Sequence, residues 1–160
     1  MSVTVGDDTT YERETKWDMR FLRLAREVAS WSRDPSTKVG AVIVRSDKTI
    51  ASLGYNGFPR GIPDRPEMYA NREEKYKYIV HAEANAIVSA REPLLGYTLY
   101  TMPLPVCQDC CKLALQAGIM RFVSLAPTPE QYQRWGASLT ASDWMIMEAG
   151  ASSTCYDALV

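Results

Sequence analysis

The chain contains a single histidine, His81, which opens the run HAEANAI, with Glu83 two positions later. Downstream, the run Pro105-Val106-Cys107-Gln108-Asp109-Cys110 places two thiols at an i, i+3 spacing. Zinc accepts imidazole nitrogen and thiolate sulfur readily, and a catalytic zinc uses three protein ligands plus a water. His81, Cys107 and Cys110 supply such a set. The i, i+3 spacing puts both sulfurs on one side of a helical first turn. The positive end of that helix favours thiolate over thiol. Glu83 suits a different task. Zinc lowers the pKa of its bound water to about 7, and a neighbouring carboxylate that is not itself a ligand can carry the proton released.

Each half of this constellation has a plainer meaning when taken alone. A histidine at a helix start is commonly a cap or a surface group. An isolated CxxC serves redox chemistry or is simply buried. Cys111 sits at i+4 from Cys107 and can also face a metal, but the CxxC spacing selects Cys110 and leaves Cys111 as a packed neighbour. Cys155 reads as a buried strand cysteine, since an isolated cysteine behaves as a small hydrophobe. A redox role for CxxC leaves His81 and Glu83 unexplained.

Several elements must bring these residues together. Residues 1–14 are polar and read as a frayed tail, leaving residues 15–160 as a single domain. Thr15 and Asp18 resemble a capping box. Trp17, Phe21, Leu24, Val28 and Trp31 then recur at helical spacing, which predicts a helix over 16–32, ended by Asp34-Pro35-Ser36. KVGAVIVR at 38–45 and a second strand at 49–54 read as a hairpin. Residues 56–80 form a connection too long for a plain loop, with a helical candidate over Arg72–Tyr78. A helix starts near His81. A strand at 97–102, a helix at 108–118 and a strand at Phe122–Leu125 follow. Two helices are expected in Pro129–Trp135 and Ser142–Ala149, then a short strand near Thr154–Tyr156. Alternating strands and helices argue for an α/β sandwich, and the hairpin makes its sheet mixed.

Composition narrows the function classes. The chain has 160 residues, 46% of them hydrophobic, and a formal net charge of −1. That balance lacks the basic footprint of a phosphate-tracking protein and argues against a nucleic-acid partner. No apolar run has the roughly 20 residues that span a bilayer. The polar N-terminus has no secretory h-region, and the clustered cysteines suit metal binding in a reducing compartment, so a cytoplasmic location is expected.

The motifs DPSTKVGAVIV (34–44), GYNGFPRGI (54–62), HAEANAI (81–87), VCQDC and QAGIMRFV (116–123) resemble the deoxycytidylate (dCMP) deaminase branch of the cytidine deaminase-like superfamily. HxE followed by CxxC is the general signature of zinc deaminases. The resemblance covers roughly residues 17–125. It implies a three-layer αβα sandwich with a five-stranded mixed sheet. It implies one catalytic Zn²⁺ and hydrolytic attack at C4 of a cytosine nucleotide, with Glu83 moving protons through N3 to the departing ammonia.

Further roles follow from the resemblance. The Ala82 N–H would hold the base carbonyl, Asn56 would contact the sugar, and Val39 would line the base pocket. The backbone around Leu104 and Pro105 would accept from the exocyclic amine. On local grounds alone, Asn56-Gly57 is also a turn signal, Val39 is also a core residue, and Asn85 is a helix brace. For phosphate, Arg60 is favoured over Lys38 and Arg91. The family also implies a homo-oligomer, dimeric or hexameric. Some members carry deoxynucleotide regulation near the GYNG loop, where Gly57, Arg60 and Gly61 match. Two departures stand out: Val106 replaces the proline that usually precedes the first zinc cysteine, and residues 56–80 contain no Cys or His for a second, structural zinc. The alternatives to a nucleotide substrate are a free nucleoside, a free base or a base in nucleic acid. A non-catalytic zinc module is a more distant alternative, which the presence of Glu83 disfavours.

Overall fold

β-Branched and small residues build the centre of the molecule. In the computed structural model, which describes residues 8–160, strand β1 (Gly40–Val44) is buried along its whole length. It pairs antiparallel with β2 (Ile50–Tyr55) on one side and with β3 (Thr98–Met102) on the other. β4 (Arg121–Leu125) and β5 (Ser152–Tyr156) extend the sheet in parallel, giving the order β2-β1-β3-β4-β5. The five-stranded mixed sheet expected from the sequence is therefore present.

Helices cover both faces. Helix α1 (Asp8–Ala29) lays Phe21, Leu22 and Ala25 on Val42, Val44, Tyr100 and Val123. The opposite face carries Ala41, Ile43, Leu99 and Phe122. It is covered by α4 (Ala82–Ser89), α5 (Gln108–Ala117) and α6 (Pro129–Glu148), through residues such as Ala86, Ala114 and Ile146. The result is the three-layer αβα sandwich. Strand β1 feeds both cores because its alternate residues point to opposite faces. Two short helices occupy the long connection: α3 (Arg72–Tyr78) matches the helical candidate there, and α2 (Pro66–Ala70) was not expected. No helix among the described residues is long and apolar enough to cross a membrane.

The docking of α4 matters most for function. A Cβ on Gly54 would stand 2.5 Å from both the Ala82 carbonyl oxygen and the Ala86 nitrogen. Glycine therefore lets the first turn of α4 lie directly on β2. The Ser52 hydroxyl donates to the Ala86 carbonyl at 2.6 Å, and Asn85 Nδ2 donates to the Tyr55 carbonyl at 2.8 Å. Asn85 is thus the helix brace that its position allowed.

Three expectations need correction. Helix α1 already begins at Asp8, so residues 8–14 are its first turns, while the rest of the expected tail lies outside the described residues. Glu14 is tied down by Lys48 at 2.9 Å and Arg121 at 3.2 Å. The two expected C-terminal helices are one. Thr128 and Gln131 form a capping box, and Leu139, Ser142 and Ile146 face inward. Tertiary burial offsets the roughly 1 kcal/mol that Gly136 costs a helix interior. Finally, Cys155 is exposed rather than buried, because β5 is the edge strand.

Candidate metal centre and active site

Two helix N-termini meet beside the sheet. His81 is the N-cap of α4 and Cys107 the N-cap of α5. His81 Nδ1 lies 3.4 Å from Cys107 Sγ and 3.4 Å from Cys110 Sγ. All three donor atoms fall within 4.8 Å of one another. Nitrogen and sulfur ligands around a tetrahedral zinc stand roughly 3.5 Å apart. The donor types and spacings therefore fit a single zinc ion with one position left for water.

The titration behaviour of the donors agrees. Cys107 is pulled down to about 4, chiefly by the hydrogen bond with the Cys110 thiol, against the opposing effect of burial and with help from His81. Cys110 moves up for the reciprocal reason, with burial adding to it. Two sulfurs this close hold one proton tightly between them, and a divalent cation relieves that conflict by binding both as thiolates. The Cys110 N–H also points at Cys107 Sγ, at 3.5 Å. Cys111 turns away, fully buried, with its thiol 3.8 Å from the Ser142 carbonyl, which keeps it a packed neighbour.

Glu83 sits one residue into α4 and is only 4% exposed. It stands outside the three-donor cluster. Burial, and then the Cys107 charge, push its carboxyl above the ordinary carboxylate range. A carboxyl raised in this way takes up a proton more readily than a surface glutamate does.

These residues open onto a cavity of about 420 Å³. Val39, Asn56, Ala82, Leu104 and Pro105 all line it, so five of the sequence-derived contact positions converge there. Ala82 begins α4, where the first-turn N–H groups have no intrahelical partner. The Leu104 carbonyl already accepts the Thr101 hydroxyl at 3.0 Å. Asn56 is heavily engaged: its Oδ1 accepts the Val39 N–H at 2.8 Å, and its Nδ2 donates to the Thr37 carbonyl at 2.8 Å and to Asp34 at 3.4 Å. One lone pair of Oδ1 remains.

The structure does not bring Arg60 to the cavity. It is exposed in the loop after Asn56, and neither Lys38 nor Arg91 lines the cavity either. The lysine that does so is Lys75, from α3. Sequence reasoning missed it because nothing in a charged, tyrosine-rich stretch marks one lysine for burial. It also missed Asp34, read there as a helix stop, and the wall formed by Trp135, Ser138 and Leu139 of α6. The Ser138 hydroxyl accepts the Gln108 N–H at 2.9 Å and so locks α6 to the start of α5.

A three-donor zinc centre with an adjacent buried carboxylate, set at helix ends in an αβα sandwich, defines the class of zinc-dependent hydrolytic deaminases. Comparison with known proteins agrees. Residues 15–126 match the family described as the cytidine and deoxycytidylate deaminase zinc-binding region, and the chain belongs to that family. It is 39% identical to an uncharacterised deaminase of Aliivibrio fischeri over 140 residues, covering 88% of this chain and 93% of that one. It is 36% identical to the deoxycytidylate deaminase of Homo sapiens over 117 residues, covering 69% of this chain and 65% of the human protein. Among solved structures, the dCMP deaminase of cyanophage S-TIM5 in complex with dCMP and dUMP superposes with a TM-score of 0.66 at 22% identity. That match covers 85% of this chain and 93% of the phage chain, and it supports the fold.

Proposed function

We propose that this chain deaminates deoxycytidine monophosphate, converting dCMP and water to dUMP and ammonia. The observation that carries the reading is Glu83: a buried carboxylate of raised pKa that lies beside, and not within, the His81–Cys107–Cys110 cluster. A structural zinc site has no use for such a group. The names of the relatives point to the substrate, and the cavity is large enough for a mononucleotide.

When bound by His81, Cys107 and Cys110, zinc would polarise a water and lower its pKa to about 7. Glu83 takes the proton of that water as its oxygen attacks C4 of the base. It then delivers that proton to N3, takes the second from the hydroxyl now on C4 and carries it to the amino group, which leaves as ammonia as the C4–N bond breaks and the C4 carbonyl forms. The Ala82 N–H holds the base carbonyl. Val39 bounds the ring, and the backbone at Pro105 accepts from the amine. Asn56 holds the 34–39 segment and offers its remaining lone pair to the sugar. The domain, with α1 from Asp8 as part of it, acts as one deaminase unit in the cytoplasm. Copies associate through exposed apolar residues such as Leu113, Trp144 and Met147, which sizing by light scattering tests directly.

The deciding experiment measures ammonia release and bound zinc together, across dCMP, deoxycytidine, cytosine and a cytosine-containing oligonucleotide. Preferred turnover of dCMP supports the reading. Zinc bound with no turnover of any of the four would leave an interaction module in its place.

A further inference from the structure

A buried ion pair sits in the cavity wall, and the deamination chemistry makes no use of it. Lys75 is 5% exposed and Asp34 is 1% exposed. Lys75 Nζ lies 3.0 Å from Asp34 Oδ2. Among the described residues, Nζ has no other acceptor; the Tyr76 ring face, 5.4 Å away, is its remaining neighbour of note. An ammonium carries three N–H donors. Burying one with a single partner leaves donor capacity unmet, which is costly unless a ligand completes it.

The pair's surroundings define the ligand group. Asp34 is saturated: Oδ1 accepts the Ser36 and Thr37 N–H groups at 2.9 and 3.3 Å, while Oδ2 takes Lys75 and Asn56 Nδ2. Lys75 and Asp34 cancel in charge, so a dianionic phosphate placed here would meet a carboxylate with no net cation to balance it. A neutral hydroxyl fits better. It accepts from Lys75 and donates to the free lone pair of Asn56 Oδ1, and both residues line the same cavity and touch the same Asp34 oxygen.

We infer that Lys75, held by Asp34, binds the free 3′-hydroxyl of the nucleotide together with Asn56, and so restricts the enzyme to mononucleotides. This inference rests on the cavity being a cytosine-nucleotide site. A base inside a strand carries a phosphodiester at that oxygen, which has no proton to donate and brings a negative charge beside Asp34.

The test compares dCMP with 2′,3′-dideoxycytidine monophosphate on the zinc-loaded enzyme. Losing a hydrogen bond to a charged group costs the wild type about tenfold or more in kcat/KM. In Lys75→Met, and in Asp34→Asn/Lys75→Met, which leaves no unpaired buried charge, activity on dCMP falls. The preference for dCMP over the dideoxy nucleotide falls by about tenfold from its wild-type value, to the part that Asn56 alone supplies. Calorimetry with dUMP and its dideoxy counterpart shows the same contrast in binding. A merely structural lysine would lower both substrates equally and preserve the ratio. Equal use of the two nucleotides by the wild type, or an intact preference in the double variant, overturns this inference alone. No turnover of either nucleotide by the wild type overturns the deaminase reading and this inference with it.

Discussion

Two buried carboxylates on opposite faces of the sheet have opposite fates. Asp18, on α1, is completely buried and receives four donor contacts. Arg121 supplies two, at 2.8 and 2.6 Å, and the hydroxyls of Tyr100 and Tyr156 supply the others at 2.7 and 2.6 Å. Burial pushes its pKa up, but the hydrogen bonds from Arg121, Tyr156 and Tyr100 outweigh that and leave it below the ordinary value. Glu83 has no comparable set of donors, and burial carries it the other way. A buried charge with every lone pair matched holds a fold together. A buried charge left short of partners is available for proton transfer. Lys75, with Asp34 as its acceptor, is a buried charge of opposite sign that keeps donor capacity for a ligand.

The largest effect is expected from Glu83→Gln. Turnover falls about 10³-fold or more, the range of a lost general acid–base. Zinc content, read by mass spectrometry, stays at the wild-type level, and the melting temperature holds or rises because a strained buried acid becomes a neutral amide. A clear fall in melting temperature would show that Glu83 is structural after all and erase the contrast with Asp18.

Asp18→Ala is the mirror experiment. Breaking a buried, fully paired carboxylate costs about 3 kcal/mol in denaturant unfolding, while kcat on dCMP stays at the wild-type level under conditions where the variant is folded. Loss of activity in the fully folded variant would connect the two faces.

Acid sharpens the same point. The folded pKa of Asp18 lies below its unfolded value of 3.8. Its stabilisation is therefore complete above that value and disappears as the pH falls through the folded pKa. In Asp18→Asn, stability below about pH 4 declines less steeply than in the wild type. Parallel acid profiles would contradict the assignment.

The smallest effect belongs to the cavity wall. Trp135 lies beyond residue 126, where the family match stops, yet it borders the cavity. Removing an aromatic contact of about 1 kcal/mol by Trp135→Ala raises KM for dCMP roughly fivefold and leaves kcat and melting temperature in place. An unchanged KM would make α6 a bystander to specificity.

Much of this molecule was legible from residue order. Strand β1 announced itself through its β-branched run, and α4 and α5 through the motifs at their first turns. The length of α1 was not, because what holds residues 8–14 in helix includes Lys48 and Arg121, which are distant in sequence. The unity of α6 was hidden behind Gly136, a local breaker overruled by burial. Cys155 was misplaced because β-propensity does not tell an edge strand from a central one.

Residue types and spacing by themselves singled out the metal donors and the carboxylate proposed as proton carrier. Those choices depend on chemistry that a few neighbouring positions contain, namely two thiols on one helical turn and a glutamate two residues after a histidine. Only the tertiary structure decided which lysine faces the cavity, that Arg60 does not, and that Asp34 pairs with Lys75. Burial and charge pairing depend on which distant segments meet, and that information belongs to the packed chain as a whole.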